Sequence, residues 1–447
     1  MPPDTRSVER GDFTYVDTAV KAVERLARKD KPGDMLVFMP TEQDILDTCE
    51  LLEARQFSST TILPLFARLP YDKQARVFLS GPGKKIVVAT NVAETSITIP
   101  GVRYVIDTGL ARISRYVPRS RITSLPVSPV SISSADQRKG RCGRLEDGVC
   151  VRLYPEEDFQ TREQFTPPEV LSANLAEVIL RMIALGLGDI HSFPFLDRPD
   201  PRSVKDGFDL LSELGAIERK GRGVFLTRMG RIMARMPLDP KISRMLIEAE
   251  KESCVNEVAV IASVLSIQDP RVRPPENTAA ADQKHTGFKD MDSDFITLLN
   301  IWNRFHSQLE SVKTRSRMRK YCRQNFLSYI RMREWIHIHR QITLILKEQK
   351  IGVGGRKSKD NSGLLYDRIH RSVLCGYLSN IALIKEKNLY QAARGREAMI
   401  FPGSTLFNRH PRWIVCAEMV MTSRLFARTV ARIDCEWLET LGKGLCK

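Results

Sequence analysis

The length, composition and charge of this chain exclude several classes of protein. Its 447 residues exceed what one compact core holds, so about three or four domains are expected. A hydrophobic content of 42% and a charged content of 27% are typical of a globular protein. The sequence contains no apolar run of the roughly 20 residues that a membrane span needs, and its polar first residues are not typical of a signal peptide.

The net charge and the cysteines indicate the kind of partner and the compartment. A formal net charge of +16 favours an anionic partner, and nucleic acid is the leading candidate. The nine cysteines are scattered, and the sequence has no Cys-x-x-Cys pair. This spacing argues against a zinc site, so we predict no bound metal, reduced thiols and a cytoplasmic location.

The first third of the chain alternates short apolar runs with helical patterns. A helix is predicted over 41–57, with Thr41 as its N-cap and Asp44 three residues on. Buried strands are predicted over 35–39, 61–66, 85–90, 102–107 and 149–154. Apolar strands separated by helices indicate a parallel sheet with ligands at the carboxyl ends of its strands. Residues 111–130 alternate and carry four arginines, which predicts either a projecting basic hairpin or an ordinary surface hairpin.

From residue 167 the pattern becomes helical. Helical stretches are predicted over 168–184, 203–214, 239–267 and 294–348. A hairpin at 217–227 after two helices predicts a winged helix, and residues 269–289 and 350–363 are predicted to be a loop and a linker. The remaining short strands predict a small barrel, and they lie at 373–377, 382–384, 390–392, 398–401, 413–420 and 426–433.

One octapeptide, Gln137–Arg144, has the composition of a polyphosphate contact. Its two glycines permit a tight turn, and Arg141 and Arg144 lie three positions apart. Arginines form forked, charge-assisted hydrogen bonds to phosphate, and the neutral amide of Gln137 can orient a water. The phosphate loop Gly-x-x-x-x-Gly-Lys-[Ser/Thr] and any Asp-Glu pair for magnesium are absent from the sequence. The chain is therefore predicted to contain the second half of an ATP site without the first.

The motifs in this order resemble the carboxyl-terminal portion of DEAH-box RNA helicases, most closely the bacterial HrpA type. Residues 36–40 resemble family motif IV, residues 89–96 motif V and residues 137–144 motif VI. The resemblance covers nearly the whole chain and implies a multidomain fold that combines α/β, α and β parts. The implied domains are a second RecA-like domain (1–160), a winged helix (161–236), a helical bundle called the ratchet (237–350) and an OB-like barrel (351–447).

The resemblance also implies roles for residues at the nucleotide. Gln137 would position the attacking water, and Arg141 and Arg144 would contact the γ-phosphate; the alternative is a basic surface turn. Phe78 would stack on adenine, and the alternative is that it belongs to the core of its helix. Cys142, where many relatives have alanine, is expected to pack and not to react.

Further residues are implied to contact RNA. These are Arg68, Thr90, Asn91, Thr95 and Ser404. A hydroxyl or an amide at a strand end can bind phosphate without reading sequence, while the alternative for Thr90 is that it caps the following turn. Glu94 is expected to be structural and to pair with an arginine. Six Lys or Arg within 313–323 either track an RNA strand or form a solvated face.

The function implied by the resemblance is that of a 3′-5′ ATP-dependent RNA helicase acting on single-stranded RNA. The cofactor would be ATP with Mg²⁺, whose ligands would lie on a first RecA-like domain that this chain lacks, in cis or in trans. The chain is thus expected to be a fragment, a split gene product or an engineered piece, inactive by itself. The alternative is a non-catalytic RNA-binding module, and a DNA helicase of the same superfamily is a third possibility.

Overall fold

The computed structural model describes residues 14–28, 32–67, 69, 71–79, 81, 83–95, 97–143, 147–221, 223–311, 314–352, 362–422 and 424–442. The chain divides into two compact units. The first unit comprises Met1–Ser114 and Leu125–Pro168, and the second comprises Arg115–Ser124 and Glu169–Lys447. The ten residues Arg115–Ser124, which interrupt the first unit along the chain, therefore belong to the second unit.

The helices and strands up to residue 168 alternate. In chain order they are α1 (Tyr15–Ala27), β1 (Asp34–Phe38), α2 (Glu42–Glu53), β2 (Thr60–Leu65), α3 (Tyr71–Ala75), β3 (Lys84–Ala89), β4 (Val102–Asp107), β5 (Leu110–Arg112), β6 (Arg115–Val117), β7 (Ile122–Ser124), β8 (Val127–Pro129), α4 (Ile132–Lys139), β9 (Val149–Arg152) and α5 (Glu156–Thr161). Strands β6 and β7 are the part that belongs to the second unit.

The first unit is built on a parallel sheet, which confirms the prediction. Its order is β2-β3-β1-β4-β9, and every pairing is parallel. The central strands are buried on both faces because they are almost entirely apolar. Thr41 caps α2 as expected, since its Oγ1 accepts a hydrogen bond from the Asp44 N–H at 3.1 Å. Helix α1, whose buried residues recur at helical spacing, was not predicted.

The second unit contains most of the helices. In chain order its elements after residue 168 are α6 (Ala176–Leu185), α7 (Pro201–Glu213), β10 (Ile217–Lys220), β11 (Gly223–Leu226), α8 (Arg228–Arg235), α9 (Pro240–Lys251), α10 (Val255–Leu265), α11 (Thr278–Thr286), α12 (Asp294–Ser311), α13 (Arg315–Gln324), α14 (Tyr329–Glu348), α15 (Ser362–Gly376), β12 (Ile381–Glu386), β13 (Leu389–Ala392), β14 (Arg396–Ile400), β15 (Trp413–Met421), β16 (Leu425–Arg432) and α16 (Cys435–Leu441). Helices α6 to α10 and α12 to α15 share one apolar core.

The last strands form a closed five-stranded barrel. Neighbouring strands follow the order β12-β13-β14-β16-β15, and β12 also pairs with β15, which closes the ring. The hairpin of β6 and β7 extends this sheet, because β7 pairs in parallel with β15. Arg121 at the hairpin is buried and bonded to Asp206 at 2.6 Å and to Glu213 at 2.5 Å. The tip of the 111–130 hairpin is therefore part of the second unit, where Arg121 is buried, while Arg112, Arg115 and Arg119 are exposed.

Three predictions of secondary structure are corrected. The predicted strand at 373–377 lies mostly in α15, where Ile369 and Val373 are buried four residues apart against a helical core. The predicted loop at 269–289 contains α11, a polar helix that buries only Ala281 and His285 among its residues. The stretches 239–267 and 294–348 are divided into shorter helices. Short apolar runs suit either structure, and a polar helix has little periodicity to detect.

Acid is expected to destabilise the second unit through its buried histidines. Burial lowers the pKa of His370 and of His339 to about 4, against an ordinary value near 6.5. The unfolded chain binds protons at these sites between about pH 6.5 and pH 4, so stability falls as the pH falls through that window. For His370, which is fully buried between Ser293 and the Tyr366 carbonyl, the loss is of the order of 3 kcal/mol.

Urea unfolding followed by tryptophan fluorescence between pH 7.5 and pH 4.5 measures this effect. His370→Gln removes one of the titrating groups, so its stability is expected to change less with pH than that of the unsubstituted chain. An equally steep pH dependence in His370→Gln would contradict the assignment to His370.

Candidate nucleotide and RNA site

The segment carrying Gln137 begins as a helix and not as a turn. Helix α4 starts after Ser131, whose Oγ accepts a hydrogen bond from the Ser134 N–H at 3.1 Å. Gln137 lies exposed in the last turn of α4, and Gly140 ends the helix. The predicted tight turn applies only from Gly140 onward, where Gly143 has a φ of +82°.

Arg138 lies at the centre of the site, although the sequence analysis assigned it no role. Its side chain is buried, with Nε 2.9 Å from the Glu94 carboxylate and Nη1 2.8 Å from the Asp107 carboxylate. The guanidinium also lies over the Phe38 ring, 4.8 Å from its centroid. One side chain therefore joins α4 to the ends of β1 and β4 and to the segment after β3. The expectation that Glu94 pairs with an arginine is confirmed.

Arg141 is held by backbone carbonyls of the segment that follows β3. Its Nη1 donates to the Ile97 carbonyl at 2.8 Å, and its Nη2 donates to the Glu94 carbonyl. The half-buried side chain closes one side of a small cavity that is otherwise apolar and includes Leu36 and Ile99. The guanidinium is thus held in place by contacts within the protein. Nearby Cys142 is buried and its pKa is raised by burial, which supports a packing role for its thiol.

Thr90, Asn91 and Thr95 lie at the carboxyl end of β3. Thr90 is half-buried, and its Oγ1 accepts a hydrogen bond from the Val92 N–H at 3.5 Å. This long contact is the capping alternative that the sequence left open for Thr90. Asn91 and Thr95 are exposed. The side chains of Asn91 and Thr95 are therefore accessible from the surface, whereas the Thr90 hydroxyl is partly occupied.

Phe78 is exposed, so the alternative that it belongs to the core does not hold. It ends a short 3₁₀ turn, Arg76–Phe78, and 42% of its surface is accessible, whereas its neighbour Val77 is completely buried. The core position of this turn is therefore filled by Val77. An exposed aromatic face can stack on a base without reading which base it is.

The remaining predicted site residues are placed differently or are not described. Ser404 is buried, and its hydroxyl donates to the Asp294 carboxylate at 2.6 Å, so it does not offer a surface contact to RNA as predicted. Arg68 and Arg144 lie outside the described residues. The sequence signal for Asp294 was weak, because an aspartate at the start of a helix usually caps that helix and does not enter the interior.

The described residues contain neither a cluster suited to a metal ion nor a helix suited to crossing a membrane. No group of three or more His, Cys, Asp or Glu side chains in the described part of the chain is arranged to hold a metal ion. No helix within the described ranges is both long and apolar enough to cross a membrane.

Three domain families match the sequence, and together they define a class of protein. Residues 18–146 match the helicase conserved C-terminal domain. Residues 239–298 match the helicase-associated domain HA2, described as ratchet-like, and residues 369–445 match an oligonucleotide/oligosaccharide-binding fold. The parallel sheet, the helical core and the closed barrel described above correspond to these families in the same order.

Two curated relatives are similar to nearly the whole chain. The chain is 46% identical over 445 residues to an ATP-dependent RNA helicase HrpA homolog of Haemophilus influenzae, covering 98% of this chain and 34% of that protein. It is 46% identical over 446 residues to the ATP-dependent RNA helicase HrpA of Escherichia coli, with the same shares. Over nearly its whole length the chain is similar to HrpA-type ATP-dependent RNA helicases, as predicted, and it spans about a third of the length of these relatives.

Proposed function

We propose that this chain supplies the second half of the nucleotide site, and much of the RNA-binding surface, of a 3′-5′ ATP-dependent RNA helicase. The observation that carries the proposal is the hydrogen-bonded contact between α4 and the segment after β3. Arg138 binds the Glu94 carboxylate, and Arg141 binds the carbonyls of Glu94 and Ile97. Arg141, which we propose contacts the phosphate, and the segment after β3, which we propose contacts the RNA backbone, would therefore move together.

Each candidate residue suits one part of a nucleotide. The exposed amide of Gln137 can orient a water, and Arg141 is fixed in place before a phosphate arrives, which lowers the entropy cost of the contact. We propose that Arg144 contacts the same phosphate and that the exposed ring of Phe78 stacks on the base. The residues thus fit the base and the γ-phosphate of ATP. We place the magnesium ligands on a first RecA-like domain, because the sequence contains neither the phosphate loop nor an Asp-Glu pair.

The RNA contacts are proposed for the exposed residues after β3. Asn91 and Thr95 would bind phosphate oxygens, with Arg68 as a further candidate and Thr90 contributing mainly to the geometry of the turn.

The order α6, α7, β10, β11 and α8 supports a winged helix over 161–236. We propose single-stranded RNA as the partner and a cytoplasmic location. Matched RNA and DNA strands at one salt concentration would distinguish RNA from DNA as the ligand.

The second candidate function is a non-catalytic RNA-binding module. The closed barrel and the match to an oligonucleotide-binding fold favour it. In this case the chain would bind RNA with a strong salt dependence and would hydrolyse no ATP in any combination of domains.

RNA-stimulated ATP hydrolysis tests the proposal. The chain alone is expected to show no activity above that of the double variant Arg141→Ala, Arg144→Ala. The phosphate loop and the magnesium ligands create most of such a site. Adding a first RecA-like domain from a curated relative is expected to restore ATP hydrolysis by the unsubstituted chain. With the double variant, the restored rate is expected to be at least about 100-fold lower. Lys139→Ala, an exposed neighbour on α4, is the matched control and is expected to leave the restored rate within about twofold.

Two outcomes would change this conclusion. Activity of the chain alone that the double variant abolishes would mean that the chain completes a site by itself. No activity after addition of the first RecA-like domain, with RNA binding intact, would favour the binding-module function.

A further inference from the structure

Helix α13 carries an unusual concentration of positive charge. Residues 311–333 contain eight Lys or Arg and no Asp or Glu, and five of the eight lie on the ten residues of α13. All five basic side chains of α13 are exposed, and they are Arg315, Arg317, Arg319, Lys320 and Arg323. Among the described residues, the structure gives none of these five side chains an ion pair.

The arrangement follows from the helical repeat. At about 100° per residue, Met318, Tyr321 and Cys322 occupy an arc of roughly 100°, and this arc packs against the core. The basic side chains fill the opposite arc. Arg315, Arg319 and Arg323 form a row along α13 with a rise of about 6 Å between successive members. The guanidinium of Arg319 lies 5.5 Å from the centroid of the Tyr329 ring.

This arrangement opposes the stability of the helix that carries it. Like charges four residues apart repel each other, and a cation at the first residue of a helix is unfavourable to the helix dipole. No acidic side chain on α13 offsets either effect, and the nearest downstream acid, Glu334, is exposed on α14. A local conflict of this kind, which no acidic partner on the helix offsets and only the contact of Arg319 with the Tyr329 ring opposes, is typical of a binding surface.

We propose that the row Arg315–Arg319–Arg323 is a separate docking site for the phosphate backbone of RNA, outside the segment after β3. Four of the five basic residues are arginines, whose planar, forked donors suit phosphate better than the point charge of lysine. The regular spacing along one line suits the repeated charges of a strand. The choice of RNA as the polyanion rests on the proposed function, whereas the location of the site rests on the charge and exposure of α13.

Fluorescence anisotropy with labelled single-stranded RNA over a range of salt concentrations tests the site. The triple variant R315Q/R319Q/R323Q is expected to bind about tenfold or more weakly at low salt. The slope of log affinity against log salt is expected to fall by about 2, because each phosphate contact on a single strand contributes about 0.7. The matched control is K21Q/R25Q/R28Q, which removes three positive charges from α1 and from Arg28 at its end. This helix also carries acidic residues, and the control is expected to keep the original slope.

Two further measurements separate binding from folding. Because the substitutions remove like-charge repulsion, the triple glutamine variant is expected to be at least as stable as the unsubstituted chain to urea. R315K/R319K/R323K keeps the charge and is expected to retain most of the slope. An unchanged slope in the glutamine variant, with RNA binding present, would overturn the α13 site alone. Absence of RNA binding by the unsubstituted chain would overturn the site together with the proposed function, and equal affinity for poly-glutamate of matched charge would overturn the assignment to RNA.

Discussion

Replacing Arg138 by alanine is expected to destabilise the first unit by about 3–5 kcal/mol. The substitution removes the partner of Asp107, which is completely buried, and leaves that carboxylate without its ion pair. It also breaks the ion pair with Glu94, which keeps the Ser134 hydroxyl as a donor, and removes the contact with the Phe38 ring. The Gly109 N–H, at 2.8 Å, and the Tyr154 hydroxyl, at 3.1 Å, still donate to Asp107, but neither of them carries a positive charge.

The measurement must report on the first unit, because all four tryptophans lie in the second. Amide hydrogen exchange of peptides from α4 and β4 in increasing urea gives the local stability. Arg152→Ala is a control in the same unit, since its pair with Asp136 is partly exposed, and together with the loss of its contact with the Phe159 ring it is expected to cost about 1–2 kcal/mol. Equal costs for Arg138→Ala and Arg152→Ala would show that Arg138 does not hold the site together.

Replacing Asp294 by alanine is expected to destabilise the second unit by at least about 3 kcal/mol. Four buried donors share this one carboxylate. They are the Ser404 hydroxyl at 2.6 Å, the Thr405 N–H at 2.8 Å, the Thr405 hydroxyl at 2.9 Å and the Val430 N–H at 2.8 Å. Without the carboxylate these donors are left unsatisfied inside the protein, at about 1–3 kcal/mol each before relaxation. The bonds also attach the start of α12 to the barrel.

Urea unfolding by tryptophan fluorescence suits this test, because Trp302 on α12 and Trp413 on β15 report on both sides of the contact. Asp292→Ala removes a carboxylate two residues away that is about half exposed and 3.5 Å from Arg432, and it is expected to cost about 1 kcal/mol or less. Ser404→Ala removes one donor and is expected to cost about 1–2 kcal/mol without changing RNA affinity. A large loss of RNA affinity in Ser404→Ala, with stability retained, would restore the RNA role that the sequence suggested for Ser404.

The candidate site could be predicted from the sequence only in part. Gln137, Arg141 and the segment 89–96 were assigned to the site because each lies in a short motif that is legible from neighbouring residues, and these assignments stay predictions. The role of Arg138 was missed because an arginine between exposed neighbours gives no local sign that it is buried. Whether it is buried depends on Glu94 and Asp107, which are 44 and 31 residues away. For the same reason, Ser404 was assigned to RNA while its actual partner lies 110 residues earlier.

The sequence by itself determined the strands of the parallel sheet, all five strands of the barrel and the resemblance to HrpA-type helicases. Apolar runs bounded by turn residues specify local structure through periodicity, which needs no knowledge of distant residues. Only the tertiary structure decided which charged groups are buried, how Arg141 is held and which unit the tip of the 111–130 hairpin joins. These outcomes depend on partners that folding brings together from distant parts of the chain. The free-energy cost of burying a charge is offset only where such a partner lies beside it in the folded protein.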